Sequence, residues 1–133
     1  MTETNNLKKT HLAVLDIIKE NCAINAYEIF EKININREKK ISQTTVYRAI
    51  NYLEKKYYIK PININDGHTR YDTIQKKHNH HFICTNCKDI LPIDYCPIKE
   101  GKTHFLPENY EVKFHNFEIF SLCPKCKPEE IME

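Results

Sequence analysis

Apolar residues recur at helical spacing between Lys8 and Asn21, where Leu12, Leu15 and Ile18 mark one face with Val14 and Ile17 beside them, and this predicts an amphipathic helix. A second helix is expected from Ala26 to about Ile33, with Asn25 as its cap and Ala26, Ile29, Phe30 and Ile33 turned inward. A polar, charged connection from Asn34 to Lys40 leads to Gln43–Lys56. There Val46, Ala49, Ile50 and Leu53 form a third buried stripe behind Ser42 in the N-cap position. The period then shortens: Ile59 to Asn65 and Thr69 to Ile74 read as two strands joined at Asp66-Gly67. Three helices followed by such a hairpin make a winged helix-turn-helix.

Beyond the Lys-rich joint Gln75 to Lys77 the pattern changes. His80 to Cys84 and Ile90 to Ile93 alternate as a strand pair, with Cys84 to Cys87 as the turn between them. Cys96-Pro97 opens a short segment of one or two helical turns that ends by Leu106-Pro107. Tyr110 to Leu122 is expected as a strand. Val112 and Phe114 fall on one parity and Phe117 and Ile119 on the other, which calls for a bulge or twist near His115 and Asn116. The expected architecture is therefore α+β, with a winged helix over residues 1–76 and a small α/β domain over residues 77–133.

Two glycines, no tryptophan and a mean hydropathy of −0.63 imply modest cores that need a metal or a partner chain. No apolar run approaches the roughly 18 residues of a membrane span, and the N-terminus lacks a signal-peptide pattern, so a cytoplasmic protein without a membrane partner is expected. In that reducing compartment the six cysteines read as ligands or buried thiols. The net charge of +2 conceals an asymmetry. Up to Lys76 there are 13 Lys and Arg against 9 Asp and Glu, and beyond it 7 against 9. A basic first half suits a polyanion such as DNA.

The polar face of the third helix carries Thr44, Thr45, Tyr47, Arg48 and Asn51, with Ser42 just ahead of it. Hydroxyls, a guanidinium and an amide in the first turns of a helix suit phosphate contact and base-edge readout in a major groove. His68 and Arg70 on the wing would lie near the DNA backbone.

Metal chemistry is concentrated in His78-Asn-His-His-Phe-Ile-Cys-Thr-Asn-Cys87, three imidazoles and two thiols in ten residues. Cys84 and Cys87, with Cys123 and Cys126 of the closing Cys-Pro-Lys-Cys, make a four-cysteine zinc site. Four thiolates leave no open position, so its role is structural. On a strand His78 and His80 share one face and His81 takes the other, so two further sites are geometrically possible. His104 is needed by neither, and Cys22 reads first as a small buried hydrophobe.

The chain resembles the ferric uptake regulator (Fur) family of metal-responsive bacterial repressors. The likeness rests on Ile41-Ser-Gln-Thr-Thr-Val-Tyr-Arg-Ala-Ile-Asn-Tyr-Leu53, on the His78 to Cys87 stretch, and on His115 with the closing Cys-Pro-Lys-Cys. It implies a homodimer in which winged helices bind palindromic double-stranded operator DNA and the second domain dimerises. Tyr47 and Arg48 match the family's DNA-contacting pair. His78, His80 and His115, with Glu100 as the fourth, match its regulatory metal site. Ile93-Asp-Tyr-Cys-Pro-Ile98 and Leu106-Pro107 look most like the zinc uptake regulator (Zur) branch, while the iron-sensing and peroxide-sensing branches share most other motifs.

This sequence departs from the family pattern in two places. Asn79 replaces the first histidine of a second sensory pair, which leaves Asp72 and His81, helped by Cys22 or Cys96, as candidates for a second regulatory site. His11 stands where the family tends to have arginine, with Lys8 and Lys9 nearby.

The expected cofactors are a structural zinc and a regulatory zinc, with iron(II) or manganese(II) as alternatives, because imidazole and carboxylate ligands accept all three. A zinc deaminase or metallohydrolase would need His-x-Glu with Pro-Cys-x-x-Cys, or His-Glu-x-x-His, and none of these occurs. A regulator without a small organic substrate is therefore expected rather than an enzyme. The remaining rival is a zinc-ribbon nucleic-acid-binding module that works without a regulatory metal.

Overall fold

The computed structural model describes residues 7–74, 80–96 and 106–128. It divides into two compact units, Met1–His78 and Asn79–Glu133.

The first unit holds α1 (Lys9–Glu20), β1 (Ile24–Asn25), α2 (Ala26–Ile33), α3 (Gln43–Lys55), β2 (Ile59–Asn63) and β3 (Thr69–Thr73). Two of its helices, α2 and α3, begin where short polar side chains satisfy the exposed amides. Asn25 Oδ1 accepts from the Glu28 amide at 2.8 Å, and Glu28 Oε1 accepts in return from the Asn25 amide at 3.0 Å. Ser42 Oγ accepts from the Thr45 amide at 3.1 Å and so fixes the start of α3. The loop before it is closed by Asn34, whose side chain accepts from the Ile41 amide and donates to the Ile41 carbonyl, at 2.8 and 3.0 Å.

Val14, Leu15 and Ile18 of α1, Ile29 and Ile33 of α2, and Val46, Ala49, Ile50 and Leu53 of α3 converge with Ile24 and Ile59 on one core. The stripe expected on α1 is rotated. Leu12 is 41% exposed, and Val14 lies in the core in its place.

The strand order is β1-β3-β2, with both pairings antiparallel. The hairpin forms as expected, with Asn65 and Gly67 both at positive φ (64° and 83°). Nothing lies within 4 Å of a Cβ built at Gly67, so it is backbone conformation rather than space that favours glycine there. The two-residue β1 was not anticipated. It is preceded by Ala23 in the left-handed region (φ 54°), which swings the chain from α1 onto the hairpin.

In the second unit β4 (His80–Cys84) pairs antiparallel with β5 (Ile90–Ile93) and parallel with β6 (Glu118–Ser121), giving the order β5-β4-β6. The strand expected over Tyr110–Leu122 is much shorter. Only its last turn of sequence finds a partner strand, in the register His81–Glu118 to Cys84–Ser121, and residues 110–117 approach it as irregular chain. The short helical segment expected after Cys96-Pro97 falls largely on residues 97–105, outside the described residues. Among the described residues no helix is long and apolar enough to cross a membrane.

Candidate metal centres and nucleic-acid interface

The three-stranded sheet of the second unit explains where its donors gather. At one end, Cys84 closes β4, Cys87 lies in the turn to β5, and Cys123 and Cys126 follow β6. Because β6 runs parallel to β4, both strands deliver thiols to the same edge. One Sγ from each of the four lies within 4.8 Å of every other. Cys87 and Cys123 are 3.8 Å apart, which matches the roughly 3.8 Å sulfur separation of a tetrahedron with Zn–S of about 2.3 Å.

The amides around this cluster point at sulfur. Cys84 Sγ accepts from the Cys123 amide at 3.5 Å and the Cys87 amide at 3.4 Å, and Asn86 Nδ2 donates to Cys126 Sγ at 3.3 Å. The Cys123 and Cys87 amides bring the Cys84 thiol down to about 6. The Asp89 amide favours the Cys87 thiolate, but loss of solvent and three neighbouring thiols outweigh it and push that thiol up to about 12. Four thiols crowded this closely resist full deprotonation by themselves, and a divalent cation removes that resistance. The donor set fits a structural zinc.

At the opposite end of the same sheet a second cluster forms. His80 opens β4, and its cross-strand neighbour on β5 is Ile93. Cys96 follows three residues after Ile93, and His115 comes three residues before β6 begins. The His80 and His115 Nε2 atoms are 3.3 Å apart and Cys96 Sγ is 3.1 Å from His115 Nε2. The rings of His80 and His115 sit 5.1 Å apart, with Phe117 edge-on to His80 at 5.5 Å. Nitrogen ligands at about 2.0–2.1 Å on a tetrahedral metal stand roughly 3.3 Å from each other, so this spacing fits a metal as well.

Of the regulatory set expected from the sequence, the structure brings His80 and His115 together, and His78 and Glu100 lie outside the described residues. Cys96 is corrected. The sequence reading grouped it with Asp72, His81 and Cys22, whereas here its thiol lies with His80 and His115, because the β4–β5 register returns it to the start of β4. In the first unit Cys22 Sγ and an Asp72 carboxylate oxygen approach within 4.8 Å. In the second, His81 Nδ1 stands 3.6 Å from Glu118 Oε2, its partner in the β4–β6 register. Glu118 was missed, since only the pairing of β6 could reveal it.

On α3 the residues Thr44, Tyr47, Arg48 and Asn51 are all exposed, Tyr47 by 41%. Ser42 and Thr45 are tied to one another, Oγ to Oγ1 at 2.9 Å, and shape the helix start. Arg70 is engaged within the first unit. Its guanidinium donates to Asp66 Oδ2 at 2.8 and 3.2 Å and to the Ala23 carbonyl at 2.9 Å, and it stands 3.6 Å from Glu28, so it ties the wing to the α1–β1 turn.

A winged helix joined to a cysteine- and histidine-rich sheet defines a metal-binding transcription regulator. A sequence profile of the Ferric uptake regulator family matches residues 4–120. The chain is 33% identical over 116 residues to the ferric uptake regulation protein of Staphylococcus epidermidis, covering 86% of this chain and 81% of that one. It is 27% identical over 127 residues to the ferric uptake regulation protein of Helicobacter pylori strain 26695, covering 94% and 83%. The solved structure of the Helicobacter pylori ferric uptake regulator superimposes with a TM-score of 0.69 at 23% identity, over 96% of this chain and 88% of that one. This chain belongs to the ferric uptake regulator family and is a metalloregulator. The family's members are transcription regulators rather than enzymes.

Proposed function

We propose that this chain is a cytoplasmic, metal-dependent repressor of metal-uptake genes, which binds palindromic operator DNA as a homodimer when its regulatory site holds zinc. The observation that carries the reading is the second cluster. A regulator that needed zinc only for its fold would use the four-thiol site, whereas His80 and His115 are set apart from it with their Nε2 atoms 3.3 Å apart. His78 and Glu100 complete the set in this reading. A metal bound there supplies a cross-link between the start of β4 and the chain leading into β6.

For DNA, the exposed face of α3 offers Thr44, Tyr47, Arg48 and Asn51 to the major groove. For the dimer, support comes from apolar surface on the small second unit: Phe82, Leu91, Phe120 and Leu122 are 37%, 62%, 43% and 44% exposed. Metal and operator are then linked ligands with a coupling of about 1 to 3 kcal/mol.

The names of the two curated relatives favour a second reading in which iron(II) is the regulatory metal. Fluorescence anisotropy with a family-type palindromic operator separates the two, using protein that carries only its four-thiol zinc, titrated against buffered free zinc and then against anaerobic iron(II). Zinc switching binding on at free concentrations far below those needed for iron supports the first reading. The reverse order supports the second. Operator binding that ignores both metals rejects the two readings and leaves a constitutive zinc-ribbon binder. In the first two cases His80→Ala abolishes the metal response while one zinc per chain remains.

A further inference from the structure

The two ends of the second unit's sheet are built differently. One end gathers four thiols, and the other gathers two imidazoles and a single thiol, Cys96. We infer that Cys96 is a direct ligand of the regulatory metal, so that a sulfur donor joins the imidazoles and the centre is of the zinc class rather than a sulfur-free imidazole–carboxylate site suited to iron or manganese. This rests on the reading of His80 and His115 as regulatory ligands, and it names the donor that sets the metal they select.

Topology carries the first part of the argument. In the antiparallel β4–β5 register His80 faces Ile93, so the chain leaving β5 must pass the start of β4. Three residues on, it places Cys96 there. The parallel β6 begins at Glu118 opposite His81, so the chain entering β6 passes the same point and leaves His115 there. The start of β4 and the chain flanking β5 and β6 thus bring one donor each to one end of the sheet. The sulfur lies 3.1 Å from His115 Nε2, and one donor atom from each of the three residues lies within 4.8 Å of the other two. A ligand N–S separation is expected at roughly 3.6 Å for Zn–N near 2.05 Å and Zn–S near 2.3 Å. An outward movement of a few tenths of an ångström therefore suffices.

Chemistry carries the second part. A thiol used as a ligand gives up its proton, and the thiolate is a soft donor. Thiolate donors favour zinc and copper(I), whereas oxygen donors suit manganese(II) and an open His–carboxylate set suits non-haem iron(II). The sulfur also has a readout that no oxygen ligand provides, a sulfur-to-cobalt charge-transfer band in the near ultraviolet.

The test uses full-length protein that retains one zinc per chain at the four-thiol site, checked by elemental analysis before and after cobalt(II) is added. The wild type is expected to show visible ligand-field bands that His80→Ala removes, together with a near-ultraviolet band that Cys96→Ala removes. Zinc affinity of the site should fall by at least about 100-fold in Cys96→Ala, beyond the loss usual for residues outside the ligand set. Cys96→Asp should lose zinc affinity while improving manganese binding relative to zinc, an inversion that a merely structural thiol does not produce. Cobalt bands that depend on His80 but carry no Cys96-dependent charge transfer, with zinc affinity unchanged in Cys96→Ala, would overturn the inference and leave the regulatory site intact. Absence of any cobalt site beyond the retained zinc, or bands indifferent to His80→Ala, would overturn the regulatory reading and the inference with it.

Discussion

The Arg70 guanidinium connects three segments of the first unit: the wing turn through Asp66, the α1–β1 turn through the Ala23 carbonyl, and the first turn of α2 through Glu28. Ala23 sits in the left-handed region, which costs an L-residue roughly 1 to 2 kcal/mol, and the hydrogen bond to its carbonyl helps hold it there. With only 16% of its side chain exposed, Arg70 has partners worth about 1.5 to 3 kcal/mol each for charged hydrogen bonds. Arg70→Ala is therefore expected to destabilise the first unit by about 2 to 3 kcal/mol in urea denaturation. A change below about 0.5 kcal/mol would return Arg70 to the surface role that its place on the wing suggests in the sequence. Burial by itself would raise the Asp66 carboxyl, but the Arg70 guanidinium and the His68 amide hold it below its ordinary 3.8. A depressed carboxylate stabilises the fold above its ordinary value and loses that contribution as pH falls through its lowered one. The unfolding free-energy difference between wild type and Asp66→Asn should thus be constant near neutrality and shrink below pH 3.8. Taking the difference cancels the acid lability of the thiolates, which both proteins share, and a difference that grew on acidification would contradict the assignment.

Among the elements, those with local causes were legible. Asn25 and Ser42 announce the starts of α2 and α3, and the Val46–Leu53 stripe defines the buried face of α3. What was not legible depends on distant partners. β1 is two residues long and exists because β3 pairs with it, so it leaves no periodicity to read. The strand over Tyr110–Leu122 was overextended because alternation shows which residues can be extended, while only β4 decides which of them are paired. Cys96 was misgrouped for the same reason, since its neighbours are set by the β4–β5 register and not by sequence distance. The clustering of the four cysteines was legible, because each Cys-x-x-Cys is a local device and the two pairs meet at one end of the sheet. β6 is held by four residues of parallel pairing and by the cysteines just beyond it, with the Thr85 amide donating to the Ser121 carbonyl at 2.8 Å. Parallel pairing is slightly weaker per residue than antiparallel. Stripping zinc with a thiol-competitive chelator is expected to abolish hydrogen-exchange protection at β6 and at the Thr85 amide first, while α1 to α3 keep theirs. Retained β6 protection after complete zinc loss would show that packing alone holds the strand.

For the whole molecule, the division of charge and the division of donors coincide. The half that carries the exposed α3 face is basic, and the half that carries both donor clusters of the second sheet is not. A protein arranged in this way separates what it binds from what it senses, and the proposed repression requires the two to be coupled. Coupling between two bound ligands cannot run one way. If the regulatory metal tightens operator binding by some factor, the operator must tighten metal binding by the same factor, expected at roughly 5 to 150 for a coupling of 1 to 3 kcal/mol. The measurement has two halves on one preparation that retains its four-thiol zinc. Operator affinity is taken with and without saturating regulatory metal, and metal affinity is taken by chelator competition with and without saturating operator. Both are run at one fixed salt concentration, because phosphate contacts make each operator affinity steeply salt-dependent. Equal factors are expected, and His115→Ala should drive both towards one together, since it removes the imidazole that shares the site with His80. If both factors were one in the wild type, metal and operator would bind independently, and the proposed metal-dependent repression would be overturned.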